Sequence, residues 1–188
     1  MKKIIFLLTF VISSHLWASN HSLDSTIDKH QSEFENVAMT IWDLAEVGYQ
    51  EYESSKLLQN SLKDHGFRIQ TNVADIPTAF IAEYGSGSPV IAILGEFDAL
   101  PGVAQSASPF KEPYKNNQAG HACGHHLFGA GSAWSSVVIK DWMKANNIKG
   151  TIRFYGTPAE EGGSGKVYMT RAGLFNDVDV ALHWHPGS

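Results

Sequence analysis

The feature that most constrains the fold is an uninterrupted apolar run at residues 90–94, Val-Ile-Ala-Ile-Leu. A strand with one face in water alternates apolar and polar residues, whereas a strand covered on both faces reads as continuous apolar sequence. The run therefore predicts a central strand with packed layers above and below it. Two carboxylates, Glu96 and Asp98, follow directly after the strand.

Helical and strand-like patterns alternate along the rest of the chain. Apolar spacing and end signals predict helices at residues 23–47, 51–64, 124–145 and 163–172. Short β-type runs predict strands at residues 67–73, 78–84, 89–94, 151–155 and 178–184. Residues 85–88, Gly-Ser-Gly-Ser, are predicted to form a hairpin-type turn, and residues 101–120 a long loop. This alternation favours an α/β domain with a mixed sheet and helices on both faces.

Composition limits both the domain count and the partners. The chain has 188 residues, 43% of them hydrophobic, which suits one globular domain with a substantial core. Its formal net charge is −5, and its lysines and arginines form no cluster along one face. A surface without such a cluster cannot neutralise a row of phosphates. Nucleic acid is therefore not an expected partner.

The first residues have the layout of an export signal. Lys2 and Lys3 precede an apolar run at residues 4–12, and Ala18 offers a cleavage site. The alternative is an uncleaved membrane anchor, but the run is far shorter than the roughly 20 residues that span a bilayer, so stable membrane insertion is not expected. We therefore predict a signal peptide at residues 1–18 and a domain at 19–188 that is exported to the periplasm or secreted.

One thiol and three imidazoles fall within six consecutive residues at a predicted loop-to-helix junction. They belong to His121, Cys123, His125 and His126. Thiolates and imidazoles both bind borderline metals such as zinc, and Cys123 is the single cysteine, so it has no disulfide partner within the chain. The alternative is a histidine-rich surface turn with a buried cysteine.

Two further polar pairs follow predicted strands. Glu160 and Glu161 are adjacent, and neighbouring carboxylates in a turn repel each other unless a cation or a proton compensates. Beside a metal, one could ligate while the other takes a proton from water; the alternative is an exposed acidic turn. His183 and His185 end the last predicted strand, where residues two apart share a face. At least one of them is expected to be a ligand.

Asp98 completes the set at the end of the central strand. Its expected role is to accept a hydrogen bond from a ligating imidazole and so fix the orientation of that ring; the alternative is capping of the turn at residues 100–102. Because ligands in α/β folds bind at the carboxyl ends of strands, these clusters are expected to meet at one edge of the sheet. Residues 163–166 lack the spacing of a phosphate loop, and Ser164 lacks the context of a nucleophile elbow.

Four segments together resemble the aminoacylase/carboxypeptidase family of two-metal amidohydrolases. They are Gly-Glu-Phe-Asp-Ala-Leu-Pro-Gly at 95–102, His-Ala-Cys-Gly-His at 121–125, Pro-Ala-Glu-Glu-Gly-Gly-Ser-Gly at 158–165 and Trp-His-Pro at 184–186. The resemblance runs from about residue 35 to the end, in order and with suitable spacing. It implies a zinc-peptidase-like catalytic domain that holds two divalent ions, Zn²⁺ or Mn²⁺.

The resemblance also implies a role for each site residue. The implied metal ligands are Cys123, His125, Glu161 and His185. His183 is the alternative to His185, because a shift of two residues also fits the strand. Glu160 would be the general base that takes a proton from the attacking water and passes it to the leaving amine. Asp98 would orient a ligating imidazole.

The activity implied by the resemblance is hydrolysis of an amide bond in a small molecule with a free carboxylate. The substrate would be an N-acyl or N-aroyl amino acid, such as a p-aminobenzoyl-glutamate-like compound, or a small dipeptide. Two residues depart from the family pattern: Glu96 stands where many relatives carry aspartate or histidine, and His126 where they often carry aspartate or asparagine.

Length is the larger departure. Relatives continue with a lid and dimerisation domain and a final histidine ligand, which these 188 residues do not include, and they are expected to be homo- or hetero-oligomers. The chain is therefore expected to be the N-terminal part of the catalytic domain. The alternative is a truncated, catalytically incompetent metal-binding remnant of such an enzyme.

Overall fold

The structure is a computed structural model that describes residues 4–113 and 118–187, with side chains from Leu23 onward. Residues 1–3 and the side chains of residues 4–22 lie outside this description. The predicted signal peptide at residues 1–18 falls in this part of the chain, so cleavage after Ala18 and export stay predictions. Among the described residues, no helix combines the length and the apolar character that crossing a bilayer requires.

A five-stranded mixed sheet forms the centre of the fold. The strands of the described chain are β1 (Arg68–Thr71), β2 (Phe80–Ser86), β3 (Val90–Gly95), β4 (Leu100–Pro101), β5 (Ala119–Gly120), β6 (Gly150–Gly156) and β7 (Val180–Leu182). The order in the large sheet is β1-β2-β6-β3-β7. β2 is antiparallel to β1 and β6, whereas β3 is parallel to β6 and β7. The predicted mixed sheet, with the apolar run as an interior strand, is confirmed.

The predicted hairpin at residues 85–88 is wrong. β2 and β3 are neighbours in sequence, but β6 lies between them in the sheet. The turn therefore joins two strands that never pair. Gly85 suits this place because its φ is 88° and a Cβ atom there would lie 2.2 Å from the carbonyl oxygen of Gly150. The loop predicted at 101–120 is also more ordered than expected at its ends, because β4 and β5 pair with each other.

The helices agree with the predictions except at two ends. They are α1 (Ile4–Leu44), α2 (Tyr52–Asp64), α3 (His125–Asn146), the single turn α4 (Glu160–Gly163) and α5 (Gly165–Arg171), with a 3-10 turn at Val73–Asp75. α1 begins before residue 23 and ends at Leu44 rather than near residue 47, because Ala45 has a φ of 41°. The Ala99 N–H donates to the Glu46 carbonyl at 2.8 Å. This hydrogen bond joins the segment that follows α1 to the segment that follows β3.

Apolar side chains cover both faces of the sheet, as predicted. One core lies under the three long helices and includes Phe34, Ile41, Leu58, Leu62, Phe80, Phe97, Val137 and Phe154. The other lies under α5 and the 3-10 turn and includes Val73, Ile76, Ile81, Leu94, Tyr155 and Met169. Aligned side chains of β2, β3 and β6 alternate between these two cores, which is why the run at 90–94 is apolar throughout.

Candidate metal centre

Three parallel strands bring the predicted polar residues to one edge of the sheet. β3, β6 and β7 point the same way, so their carboxyl ends lie side by side. Asp98 follows β3, the α4 turn with Glu160 follows β6, and His185 follows β7. α3 begins at the same edge with His125, which is fully buried. The strand order thus brings together residues that are up to 87 positions apart along the sequence.

His125 is held by carboxylates on both ring nitrogens. Its Nδ1 lies 3.0 Å from Asp98 Oδ1 and 3.1 Å from the Asp98 carbonyl oxygen, while its Nε2 lies 2.9 Å from Glu96 Oε2. Burial alone would lower the pKa of His125, but the hydrogen bonds with Asp98 and Glu96 raise it to about 10. Asp98 is therefore placed as expected for a residue that orients an imidazole.

The thiol lies beside two imidazoles. Cys123 Sγ is 3.4 Å from His185 Nε2, and that nitrogen is 3.3 Å from His125 Nε2. One donor atom from each of the three residues falls within 4.8 Å of the others. Burial, followed by the Glu161 carboxylate and the other nearby acids, raises the pKa of Cys123 to about 11, so a positive charge is needed to make this thiol a thiolate near neutral pH.

The structure distinguishes the two strand-end histidines. His183 Nε2 lies 3.3 Å from Glu96 Oε1, and the same carboxylate oxygen accepts a hydrogen bond from Lys166 Nζ. His185 is the one that reaches the thiol and His125. Of the two alternatives, His185 is therefore in position to share an ion with Cys123.

The two adjacent glutamates have different surroundings. The Glu160 side chain is 48% exposed, with Oε2 4.0 Å from His125 Nε2. The Glu161 side chain is 17% exposed, and its Oε1 is also 4.0 Å from that nitrogen. This oxygen is shielded from solvent and has no hydrogen-bond partner in the described part of the chain. The Glu161 N–H donates to Asp98 Oδ2 at 2.8 Å, which ties the turn to the buried carboxylate.

The family model for peptidase family M20/M25/M40 matches residues 92–188, which contain all of these residues. The chain belongs to this family. The M20 assignment covers just over half of the chain, from within β3 through α3, β6 and β7.

Known proteins support the same assignment. The chain is 43% identical over 165 residues to one of the subunits of p-aminobenzoyl-glutamate hydrolase from Escherichia coli (strain K12), covering 87% of the chain and 34% of that protein. It is 29% identical over 157 residues to hippurate hydrolase of Campylobacter jejuni, covering 82% and 39%. A solved Bacillus subtilis structure, a dinuclear metal-binding peptidase of the M20 family, has 30% identity and a TM-score of 0.64, covering 84% and 44%. The chain thus spans less than half of each.

The M20 site also contains a buried acid that sequence reasoning left without a role. Glu96 is 2% exposed and touches His125, His183 and Lys166. Burial raises its pKa, but hydrogen bonds from His125 and Lys166 outweigh that effect and lower it to about 2. Its position directly after the apolar strand was a usable signal. Lys166 had no comparable signal, because the rejected phosphate-loop pattern was the only reason to consider it.

A second missed acid, Glu51, lies beneath the glutamate turn. It is fully buried, accepting hydrogen bonds from the Ala159 N–H at 2.8 Å and from Thr78 Oγ1 at 3.0 Å. Ala159 has a φ of 56° and directly precedes Glu160, so Glu51 supports a strained turn that presents the exposed carboxylate. Burial is the main cause that raises the pKa of Glu51 to about 7. In the sequence, Glu51 looks like an ordinary residue at the start of a helix.

The donor set fits a divalent metal. A thiol, two imidazoles and a carboxylate are ligands that zinc-type ions prefer. The buried, unpartnered Oε1 of Glu161 faces the same space and lacks the partner that a buried carboxylate oxygen normally has. Glu96, His125 and Glu160 form a second group whose donor atoms lie within 4.8 Å of one another. The edge of the sheet can therefore hold metal ions on residues that the fold already brings together.

Proposed function

We propose that this chain forms part of the catalytic site of a metal-dependent amidohydrolase that cleaves the amide bond of an N-acyl or N-aroyl amino acid or a small dipeptide. The observation that carries the proposal is the convergence of Cys123, His125 and His185 beside an exposed and a half-buried glutamate. The two curated relatives are named for hydrolysis of p-aminobenzoyl-glutamate and of hippurate. Each compound is an aroyl amino acid with a free carboxylate, which supports that substrate class.

The proposed metal ligands are Cys123, His125, Glu161 and His185. When bound, two divalent ions, proposed to be Zn²⁺ or Mn²⁺, would lower the pKa of a water molecule and stabilise negative charge on the amide oxygen. Asp98 occupies Nδ1 of His125 and fixes the ring, so His125 would ligate through Nε2, where the ion would take the place of the Glu96 contact. The dinuclear M20 relative supports the number of ions.

Glu160 is proposed to be the general base. Its carboxylate is exposed, so water and substrate can reach it, and it lies 4.0 Å from the nitrogen of His125 that would face the ion. It would take a proton from the attacking water and deliver it to the leaving amine nitrogen, so that the amide C–N bond breaks with a neutral amine as product. Glu161 would stay bound to the ion, because its backbone and side chain are held closer to the buried core.

Location and assembly are further proposals. The signal-like pattern at residues 1–18 supports export to the periplasm or secretion. The Escherichia coli relative is named as one subunit of its enzyme, which supports an assembly with a second, different chain. The negative net charge supports a small-molecule partner rather than nucleic acid.

One observation favours a second candidate function, a metal-binding chain without hydrolytic activity. β7 lies at the edge of the sheet and exposes Val180, Leu182 and, just beyond it, Trp184, each by 45–50%. A sheet edge with exposed apolar side chains is normally covered by further structure. If nothing covers it, the loop that carries His185 is weakly held, and one proposed ligand is lost.

The test compares two proteins. One is these residues from 19 to 188; the other, called here the natural form, is the chain together with any coding sequence that follows Ser188. We expect the natural form, supplied with Zn²⁺ or Mn²⁺, to hydrolyse p-aminobenzoyl-glutamate or members of a panel of N-acetyl amino acids, and residues 19–188 alone to show little or no activity. Absence of hydrolysis by the natural form on every substrate, with metal bound, would favour the second candidate.

A further inference from the structure

A second group of metal-ligating side chains lies far from the candidate centre. His30 and Glu33 are on α1, and His65 follows the last residue of α2. Their neighbour Asp141 is near the end of α3, about 24 Å along that helix from His125 at a rise of 1.5 Å per residue. We call these four residues the helix-end cluster. The proposed hydrolysis does not use any of them.

The contacts within the helix-end cluster join three helices. His65 Nε2 lies 2.9 Å from Glu33 Oε2, and Ser61 Oγ donates to Glu33 Oε1 at 2.7 Å. His30 Nε2 lies 2.9 Å from Asp141 Oδ2. The two imidazole rings meet edge to face with centroids 4.9 Å apart. Residues three apart share one face of a helix, which is why His30 and Glu33 both point toward α2.

The charges around the helix-end cluster differ between its two carboxylates. Asp141 already pairs with Lys140 at 2.6 Å and Lys29 at 3.7 Å. Glu33 is different, since the ion pairs that the described residues offer it are made by histidine. Although burial opposes it, hydrogen bonds from Ser61 and His65 keep the pKa of Glu33 below its usual value, so this group is a carboxylate. Glu33 lies between two imidazoles, and no lysine or arginine within the described residues pairs with it. It is therefore the carboxylate of the cluster that would accept a cation.

We propose that His30, Glu33 and His65 form a separate binding site for a borderline divalent cation such as Zn²⁺. One donor atom from each lies within 4.8 Å of the others. Zinc bonds of about 2.0–2.2 Å place tetrahedral ligand atoms roughly 3.4 Å apart, so modest side-chain rotations close the site. The Glu33 side chain is 42% exposed and gives the ion access, whereas His30 is 6% exposed.

Asp141 would hold the ring of the proposed ligand His30 without binding the ion itself. A carboxylate that hydrogen-bonds one ring nitrogen of a ligating histidine fixes its tautomer and raises its basicity, and Asp141 has this relation to His30. Phe34 is buried below the cluster and stacks with the His65 ring at 6.0 Å, which limits the motion of that ring. An ion bound only by the folded arrangement would stabilise the contact of α1 with the end of α2.

The test uses Zn²⁺ and the natural form carrying Cys123→Ser and His185→Ala, two changes that weaken the candidate centre. Equilibrium dialysis with elemental analysis gives the ions per chain, and thermal unfolding gives the stabilisation by Zn²⁺. We expect Glu33→Gln to remove one ion per chain, weaken Zn²⁺ binding at least tenfold and abolish part of the thermal shift. His65→Gln should do the same.

Ser61→Ala is the matched control, because it removes the hydrogen bond to Glu33 and keeps every proposed ligand. It should retain the ion. Glu33→Gln changes a half-exposed side chain and keeps its shape, so the variant is expected to fold. It therefore tests whether the cluster binds Zn²⁺ even if His65→Gln unfolds the protein. Equal ion content and equal thermal shift in the background protein and Glu33→Gln would show that the cluster is a hydrogen-bonded network only and would overturn the proposal.

Discussion

The candidate metal centre has two halves that the fold treats differently. The buried half consists of His125, Asp98 and Glu96, which are at most 2% exposed and hold each other at 2.9–3.0 Å. The exposed half consists of Cys123, Glu160 and His185. His185 and Glu160 lie 3.3 Å and 4.0 Å from His125 Nε2, and Cys123 lies 3.4 Å from His185. The buried half is therefore fixed by folding, whereas the exposed half has room to adjust to an ion and a substrate.

The origin of the difference is the place of each element in the sheet. The buried half follows the interior strand β3 and begins α3, both of which pack in the core. In the exposed half, His185 depends on the edge strand β7 and Glu160 on the α4 turn, where Gly162 has a φ of 92° and the helix is irregular. Catalytic groups on such segments can move, and a rigid base beneath them keeps the movement small. The comparison predicts that Glu160 of the exposed half controls the chemistry, that both halves supply metal ligands, and that the buried half controls stability and the orientation of His125.

The largest effect is expected from Glu160→Gln in the natural form. This change removes the proposed general base and leaves the ligands in place, so kcat should fall by about 100-fold to 10,000-fold while metal content is unchanged. Glu161→Gln is the contrasting variant and should lose metal, because that carboxylate is a proposed ligand. Steady-state kinetics and elemental analysis distinguish them. If Glu160→Gln loses the metal and Glu161→Gln keeps it, the roles of the pair are reversed.

A smaller effect, on stability rather than chemistry, is expected at Glu51. Its pKa in the folded protein is about 7, above its ordinary value of 4.5, so the folded state holds a proton that the unfolded state releases between these values. The stability of the metal-free protein should therefore fall as pH rises from about 4.5 through about 7. A shift of this size corresponds to up to about 3 kcal/mol.

Glu51→Gln should remove this pH dependence, because the amide does not titrate. Urea unfolding of the natural form at pH 5 and pH 8 measures it, with Glu53→Gln as the control because Glu53 is exposed in the first turn of α2, two residues after Glu51. An identical pH dependence in the wild type and Glu51→Gln would contradict the assignment of a protonated acid beneath the glutamate turn.

The smallest effect is expected from Asp98→Asn, which keeps the shape of the buried half and removes its charge. Orienting partners of this kind contribute about 10-fold to 100-fold in metal affinity, and Asp98 also accepts the Glu161 N–H. Competition with a chelator measures the affinity. Asp177→Asn is the control, since Asp177 is an exposed carboxylate paired with Arg153 on another part of the surface. Equal losses in the two variants would mean that Asp98 does not orient a ligand.

Much of the fold followed from local patterns. The apolar run at 90–94 predicted an interior strand, and the polar residues after three strands predicted one shared edge, because parallel strands end together. The strand order could not be predicted from these patterns, because β6 lies between β2 and β3 in the sheet although α3 separates it from them in the sequence. Pairing of distant segments depends on how helices pack, which a short turn sequence does not report.

The candidate site was predictable only where residue type signalled chemistry. Thiols, histidines and paired acids stand out in a sequence, so Cys123, His125 and the two glutamates were found. Glu51 and Glu96 were missed as functional groups because a glutamate looks the same whether it is solvated or buried. Their importance comes from burial and from the Ala159 and Lys166 groups they contact, which tertiary packing alone creates.

The most direct test of the central claim is whether Cys123 binds the metal. X-ray absorption at the zinc edge of the Zn²⁺-loaded natural form should show a sulfur atom at about 2.3 Å from the ion. This signal should disappear in Cys123→Ser and persist in Ala122→Ser, a change at the neighbouring exposed residue. A zinc environment with only nitrogen and oxygen atoms in the wild type, or the same sulfur signal in Cys123→Ser, would contradict the assignment of Cys123 as a ligand of the metal centre.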